Sequence, residues 1–387
     1  MMISGHDYSN LWQISQEHSV KSKELLVKCP CIPYNQYTVG AVPRPGYTAD
    51  RTSLRRCGLF LPTDKFCSQE DTSMTYSRRI HTVAIAGAGT MGSSMAQTFA
   101  RSGYSVILYD IFDAALEKAK TLISLHQQTE IAEGAVTPEE SAALVDRITL
   151  TGDPQSFRRA DFVVEAVLEN MDVKHKFWQE ISRIVDEDVV LASNTSGLSI
   201  TEIAKAVHRP ERFGGMHWIN PPHIIPLVEV IRGELTDPAA AQVIYDLADR
   251  VGKKPVMVKD APGFVLNRIQ LAILRECLYI AQQGIATEED IDKVMKYALG
   301  VRYACLGPLE VCDQGGLDIF YHIAEYLFAD LCNEKEPFGL LKEAYDRGDY
   351  GVKTGQGFYD YHDGRDKEAI LYRDKMYNKV SRCLFGE

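Results

Sequence analysis

The chain of 387 residues lacks several things, and each absence removes a class of protein. No apolar run approaches the roughly 18 residues that a membrane-spanning helix needs, so no membrane partner is expected. Basic charge is in short supply. The chain carries 42 Lys+Arg against 53 Asp+Glu, a net charge of −11. That balance repels phosphate backbones, and no nucleic-acid partner is expected. None of the nine cysteines forms a CxxC pair, and Cys29-Pro30-Cys31 has no His or second Cys pair at zinc spacing. Neither a metal centre nor a structural disulfide is expected, and reduced thiols in the cytoplasm are the natural setting. A secretory signal is missing too, because Gly58-Leu59-Phe60-Leu61-Pro62 is too short an apolar core.

What remains is ordinary globular composition, 45% hydrophobic and 25% charged, in a chain long enough for two domains. Its charge is uneven. Residues 1–79 hold 10 Lys+Arg and 7 Asp+Glu, leaving 32 and 46 for residues 80–387. The first 79 residues also contain Pro30, Pro33, Pro43, Pro45 and Pro62 and no sustained helical or strand period. They are expected to form a poorly ordered extension; seven acids argue against an organelle transit peptide. Met74, just ahead of the first strand, is a candidate start of the folded unit.

From residue 80 the pattern becomes orderly. Short apolar runs recur at 83–86, 106–109, 162–164, 189–192, 213–216, 227–231 and 256–258, with helix-like stretches between them. Continuous apolar strands alternating with helices are the mark of a parallel sheet covered on both faces. Beyond Pro262 the strands stop, and 264–284, 288–299, 316–333 and 338–347 read as helices, with Gly284 and Gly300 as terminators. The expected architecture is an α/β, Rossmann-type doubly wound sheet over 80–260. An all-helical domain over 261–361 and a short polar tail over 362–387 follow.

The first strand runs into Gly87-Ala88-Gly89-Thr90-Met91-Gly92 and a helix, and the next strand ends at Asp110. Gly87 permits the tight turn, Gly89 lets the backbone approach a pyrophosphate, and Gly92 lets helix and strand pack closely. The phosphates then rest on free amides at the helix start, beside Thr90 and Met91. Asp110, 18 residues after Gly92, is placed to accept hydrogen bonds from a ribose diol. Its charge would repel a 2′-phosphate, and no Arg follows within ten residues, so the expected cofactor is NAD rather than NADP.

Three further segments carry chemistry. Asn194-Thr195-Ser196 follows one strand, His217-Trp218-Ile219-Asn220-Pro221 follows another, and Glu229 lies in the apolar strand Leu227–Ile231. A buried carboxylate there is expensive unless paired, and His217 is the obvious partner. Each residue also has a plainer reading. His217 could be a satisfied core histidine, and Ser196 or Asn267 could simply cap a helix.

The combination resembles the 3-hydroxyacyl-CoA dehydrogenase family over nearly all of 80–361. The matching residues are the three glycines, Val164-Glu165-Ala166 with Glu169-Asn170 and Lys174, Asn194-Thr195-Ser196, His217-x-x-Asn220-Pro221, Val228-Glu229-Val230, Pro262-Gly263-Phe264 with Asn267-Arg268, and Lys353–Tyr359. The resemblance implies oxidation of a secondary alcohol, with His217 as general base and Glu229 orienting its ring. Ser196 and Asn267 would serve the substrate oxygen. Glu169, Lys174 and Asn194 would lie along the cofactor. It also implies a homodimer paired through the helical domain, where Ile269, Leu271, Ile273 and Leu274 form an apolar face or else an internal core.

The resemblance ranks a small-molecule L-3-hydroxyacyl-CoA of the 3-hydroxybutyryl type as first substrate. Residues 121–146 contain five acids and no Lys or Arg, a poor match for the phosphates of CoA, unless that face is only solvated surface and the phosphates are met elsewhere, as by Lys118 or Lys120. The Trp218–His223 stretch and Arg302-Tyr303-Ala304 are similar instead to relatives that oxidise free acids or alcohols, the gulonate, carnitine and pyridine-alcohol dehydrogenases. Arg302 would then receive a carboxylate, or would form only a surface ion pair. A third reading is a non-catalytic, crystallin-like NAD-binding protein.

Overall fold

Strand β1 (Thr82–Ala86) is an uninterrupted apolar run, and it sits at the centre of an eight-stranded sheet because such a run is stable only when covered on both faces. The structure is a computed structural model and describes residues 76, 78–132 and 134–385. After β1 come α1 (Thr90–Arg101), β2 (Ser105–Tyr109), α2 (Asp113–Ala132), α3 (Pro138–Val145), β3 (Ile148–Thr151), β4 (Phe162–Glu165), α4 (Met171–Ile184), β5 (Val190–Ser193) and α5 (Ile200–Ala204). The sheet is completed by β6 (Phe213–Trp218), β7 (Leu227–Arg232), α6 (Pro238–Arg250) and β8 (Lys254–Lys259). Strand order is β3-β2-β1-β4-β5-β6-β7-β8. The first six are parallel, β7 runs antiparallel to β6, and β8 is parallel to β7.

The chain leaves β1 toward β2 and β3 on one side and returns to β4 on the other. This reversal opens a crevice at the carboxyl ends of β1 and β4, where doubly wound sheets bind ligands. Side chains alternate between the two faces. Val83, Ile85, Met95, Phe99, Trp218 and Leu247 build one core, and Ala84, Val163, Trp178, Leu191, Phe213 and Phe264 the other. Tyr76 packs against the first core, and Arg78 pairs with Asp161 at 2.8 Å, so these two residues belong to the fold rather than to the expected extension. The remainder of that extension, through residue 75, lies outside the described residues, as does Met74.

The sequence reading misses β3, a half-exposed edge strand of four residues with two threonines, too short to stand out as an apolar run. Residues after β8 are helical: α7 (Leu266–Gln282), α8 (Glu288–Val294), a π-helical turn over Met295–Leu299, α9 (Gly300–Cys305), α10 (Pro308–Gly315), α11 (Leu317–Leu327) and α12 (Gly339–Arg347). Gly284 terminates α7 with a φ of +64°. Gly300 does not terminate a helix. Its φ is −60°, and a Cβ there would stand 2.9 Å from Met295 O, so glycine lets the π-turn run on into α9. The expected polar tail is also corrected. Arg365–Phe385 forms α13, a helix of 21 residues.

Trp178, fully buried, lies edge-on to Phe177 and Phe213 at 4.9 and 5.1 Å and donates to Glu165. Trp178→Ala is therefore expected to cost about 3–5 kcal/mol in urea unfolding; a loss under about 1 kcal/mol would mean that this cluster does not anchor the second core.

Candidate active site

The crevice between β1 and β4 begins with Gly87, whose φ is +98° and whose Cβ would meet Ala166 O at 2.4 Å. At Gly92 a Cβ would fall 1.8 Å from Gly87 O, so only glycine lets α1 start against β1. Gly89 differs, because nothing lies within 4 Å of its Cβ direction. It is the N-cap of α1 and supplies no side-chain cap, so the first amides around Thr90 and Met91 face open space at the positive end of the helix. Asp110 ends β2, and its carboxylate accepts from Ala88 N at 2.8 Å and Phe112 N at 3.0 Å, which holds it at the rim of the same crevice. An open amide cradle with an oriented carboxylate beside it fits a pyrophosphate and a ribose diol.

Lys174 is fully buried, 2.5 Å from Glu165 Oε1 and 3.2 Å from Oε2 of Glu169, whose side chain is 43% exposed. Glu165 also accepts from Val167 N, Trp178 Nε1 and Ser193 Oγ. Glu169 accepts from Thr195 Oγ1 at 2.6 Å and Ser196 N at 2.8 Å. Burial raises the carboxyl of Glu169, but the Thr195 hydroxyl, the Lys174 ammonium and the Ser196 amide together bring it below the usual carboxylate value. The chain Glu165–Lys174–Glu169, buried at its first two members, thus holds the loop that bears Ser196. Glu165 was legible by the signal that picked out Glu229, a carboxylate closing an apolar strand.

Asn194 Oδ1 accepts from Trp218 N at 2.8 Å and ties the end of β5 to β6. Ser196 is exposed and caps nothing, because Ser199 is the N-cap of α5. Asn267 does not cap either; its Nδ2 donates to Ser196 O at 2.7 Å. His217 lies within β6, not beyond it, because the strand runs on to Trp218.

The antiparallel register sets His217 directly opposite Glu229. His217 Nδ1 stands 2.9 Å from Glu229 Oε2, with 4% and 1% of the two side chains exposed. Glu229 Oε1 accepts from Val265 N and Leu266 N at 3.0 and 2.9 Å, the free amides at the start of α7. The turn that aims them contains Gly263 and then Phe264, a bulky residue held at φ +50° with its ring against His217. Sequence reasoning did not single out Phe264. Burial raises the Glu229 carboxyl, but His217 and the two amides lower it more, so it stays ionised. With Nδ1–H committed to Glu229, Nε2 of His217 carries the free lone pair.

A cavity of 560 Å³ lies on the Trp218 side of β6 and does not contain this dyad. Arg302, on α9, is exposed and takes part in none of the ion pairs among the described residues, so neither reading of it gains a partner. No group of three or more His, Cys, Asp or Glu is arranged to hold a metal among the described residues.

Residues 82–261 match the family model of the 3-hydroxyacyl-CoA dehydrogenase NAD-binding domain, and residues 263–361 match that of its C-terminal domain. The chain belongs to the 3-hydroxyacyl-CoA dehydrogenase family. It is 37% identical over 308 residues to 5-formyl-3-hydroxy-2-methylpyridine 4-carboxylate 5-dehydrogenase of Mesorhizobium japonicum, covering 79% of this chain and 99% of that one. It is 40% identical over 285 residues to a Bacillus subtilis protein named "Probable 3-hydroxybutyryl-CoA dehydrogenase", covering 73% and 98%. A crystal structure of the pyridine-carboxylate enzyme, described as an NAD+-dependent dismutase, superposes with a TM-score of 0.74 at 36% identity, covering 80% of this chain and all of that one. The (S)-3-hydroxybutyryl-CoA dehydrogenase of Ralstonia eutropha gives 0.63 at 37% identity, covering 73% and 99%. The chain is accordingly an NAD-dependent oxidoreductase acting on a CH–OH group.

Because its carboxyl sits below the ordinary 4.5 in the fold, Glu229 adds stability above that pH and loses it as pH falls through the lowered value. Glu229→Gln should destabilise by about 1–3 kcal/mol at neutral pH. Urea midpoints between pH 3 and 7 should show that gap narrowing toward the acid end; a constant gap would mean that Glu229 is not held ionised by this pairing.

Proposed function

We propose that His217 takes the hydroxyl proton of a small alcohol through Nε2 while Glu229 steadies the imidazolium that forms. NAD, when bound, accepts the hydride. The observation that carries this reading is the buried His217–Glu229 pair, closed by two amides of α7. Ser196 Oγ and the second proton of Asn267 Nδ2 would then donate to the substrate oxygen as charge develops on it. Asn267 has a further duty in holding Ser196 in place.

For the substrate, we infer a free hydroxy acid or a carboxylate-bearing ring in place of the CoA thioester that the sequence ranks first. The reading is favoured by the superposition on the pyridine-carboxylate enzyme at a TM-score of 0.74, against 0.63 for the 3-hydroxybutyryl-CoA dehydrogenase of Ralstonia eutropha. The acidic stretch of α2 and α3 also offers no cation to a CoA phosphate, and Glu130 there is already paired with Arg101 at 2.5 Å. The thioester reading rests on the 40% identity to the Bacillus subtilis protein.

His217→Ala should lose roughly 10²–10⁴-fold in kcat while NAD still binds; wild-type turnover would remove the base assignment. A steady-state panel of 3-hydroxybutyryl-CoA, free 3-hydroxy acids and hydroxymethyl- and formylpyridine carboxylates ranks the substrates by kcat/KM. If the thioester leads that panel tenfold or more, the free-acid reading is wrong.

The helical part also supports a homodimer. Ile269 and Leu271 on α7 are 50% and 57% exposed, and Leu317 and Phe328 near α11 are 61% and 74% exposed. Ile273 and Leu274, half-buried, line an open groove together with Met295 and Phe358. A second copy covering the exposed faces should give twice the chain mass by light scattering, and Leu271→Glu should shift that mass toward monomer; a monomeric wild type would dismiss the dimer.

A further inference from the structure

Lys253 is a buried lysine without an acid. Its residue is 6% exposed, and it forms no ion pair among the described residues. Its Nζ donates to Pro222 O at 2.5 Å and Ile225 O at 2.9 Å, and lies 5.0 Å from the centre of the Trp218 ring. Burial pushes the ammonium down to about 8. For stability alone the choice is poor, since an unpaired buried cation is expensive and a methionine would fill the same space.

What the ammonium holds gives it a purpose. Pro222 and Ile225 belong to the 219–226 connection, the chain between β6, which bears His217, and β7, which bears Glu229. Trp218, next to His217, fills the opposite face of β6 against Phe99, with the cation over its ring. Lys253 itself sits in the turn from α6 into β8, which is paired with β7. One side chain thus fastens the connection between the two catalytic strands to the turn that leads into β8.

The geometry points to Lys253 as a positioning residue that sets His217 against Glu229 by clamping the connection between their strands. It acts through the dyad and touches no reacting atom, so this assignment rests on His217 being the base. The chemistry of the clamp is two simultaneous N–H donations to carbonyl oxygens. Arginine can reproduce them together with the charge over Trp218, glutamine has two N–H donors but neither the charge nor the reach, and methionine has no donor.

The test compares Lys253→Arg, Lys253→Gln and Lys253→Met with His217→Ala in the full-length enzyme, reading kcat, KM for the hydroxy substrate, the NAD dissociation constant and melting temperature. The expected order of kcat is wild type, Arg, Gln, Met, with Met down about 10–100-fold and NAD binding within twofold of wild type throughout. If Met does not fold, Gln lying at least fivefold below Arg supports the clamp. Equal kcat values in all the folded variants, whatever their melting temperatures, would overturn it and leave Lys253 a packing residue. Undiminished turnover in His217→Ala would instead overturn the reading beneath it.

Discussion

A carboxylate inside a β-sheet must be compensated, and the compensation of Glu229 organises much of this molecule. One oxygen takes the imidazole of His217 across the antiparallel pair β6–β7, and the other takes two amides at the start of α7. The same charge therefore orients the base and ties the helical part to the sheet. In a low-dielectric setting each of these bonds is stronger than it would be in water, and losing any one leaves a charge partly unmet. The strained backbone at Phe264 follows from this constraint, since the chain must turn sharply enough to aim two successive amides at one oxygen.

A second charge system, buried at Glu165 and Lys174, stands beside the first. Glu165, Lys174 and Glu169 carry a chain of hydrogen bonds from the core beside Trp178 out to the Ser196 amide. The two systems meet where Asn267 of α7 donates to Ser196. The candidate site groups that follow β5, lie in β6 and open α7 are thus held by bonds within the protein, which is how a site keeps its geometry before anything binds. The cofactor crevice is built on the opposite plan. Backbone amides at α1 are left unsatisfied and side chains are pared down to glycine, so that a ligand can complete what the protein omits.

Helix α13 is an addition outside the two family domains and lies against the connection that follows His217. A shared scaffold therefore leaves substrate range to be argued from the site itself.

By itself the sequence determined the doubly wound class and the glycine turn with Asp110, and it picked out His217, Glu229, Ser196 and Asn267 as candidates. These are matters of period and local chemistry: apolar runs of strand length, glycines that no other residue can replace, and polar residues at places where burial is expensive. It did not determine β3, which is too short and too exposed to leave a period, or the helical continuation through Gly300, where the space beside Met295 O decides. Nor did it reveal that Lys174 is sealed inside the protein or that residues after 361 form a helix against the sheet domain. Those outcomes depend on contacts between segments far apart in the chain, such as β6 with β7 and α7, or α13 with the 219–226 connection. The energies that choose them come from cross-chain burial and pairing, which no local pattern contains.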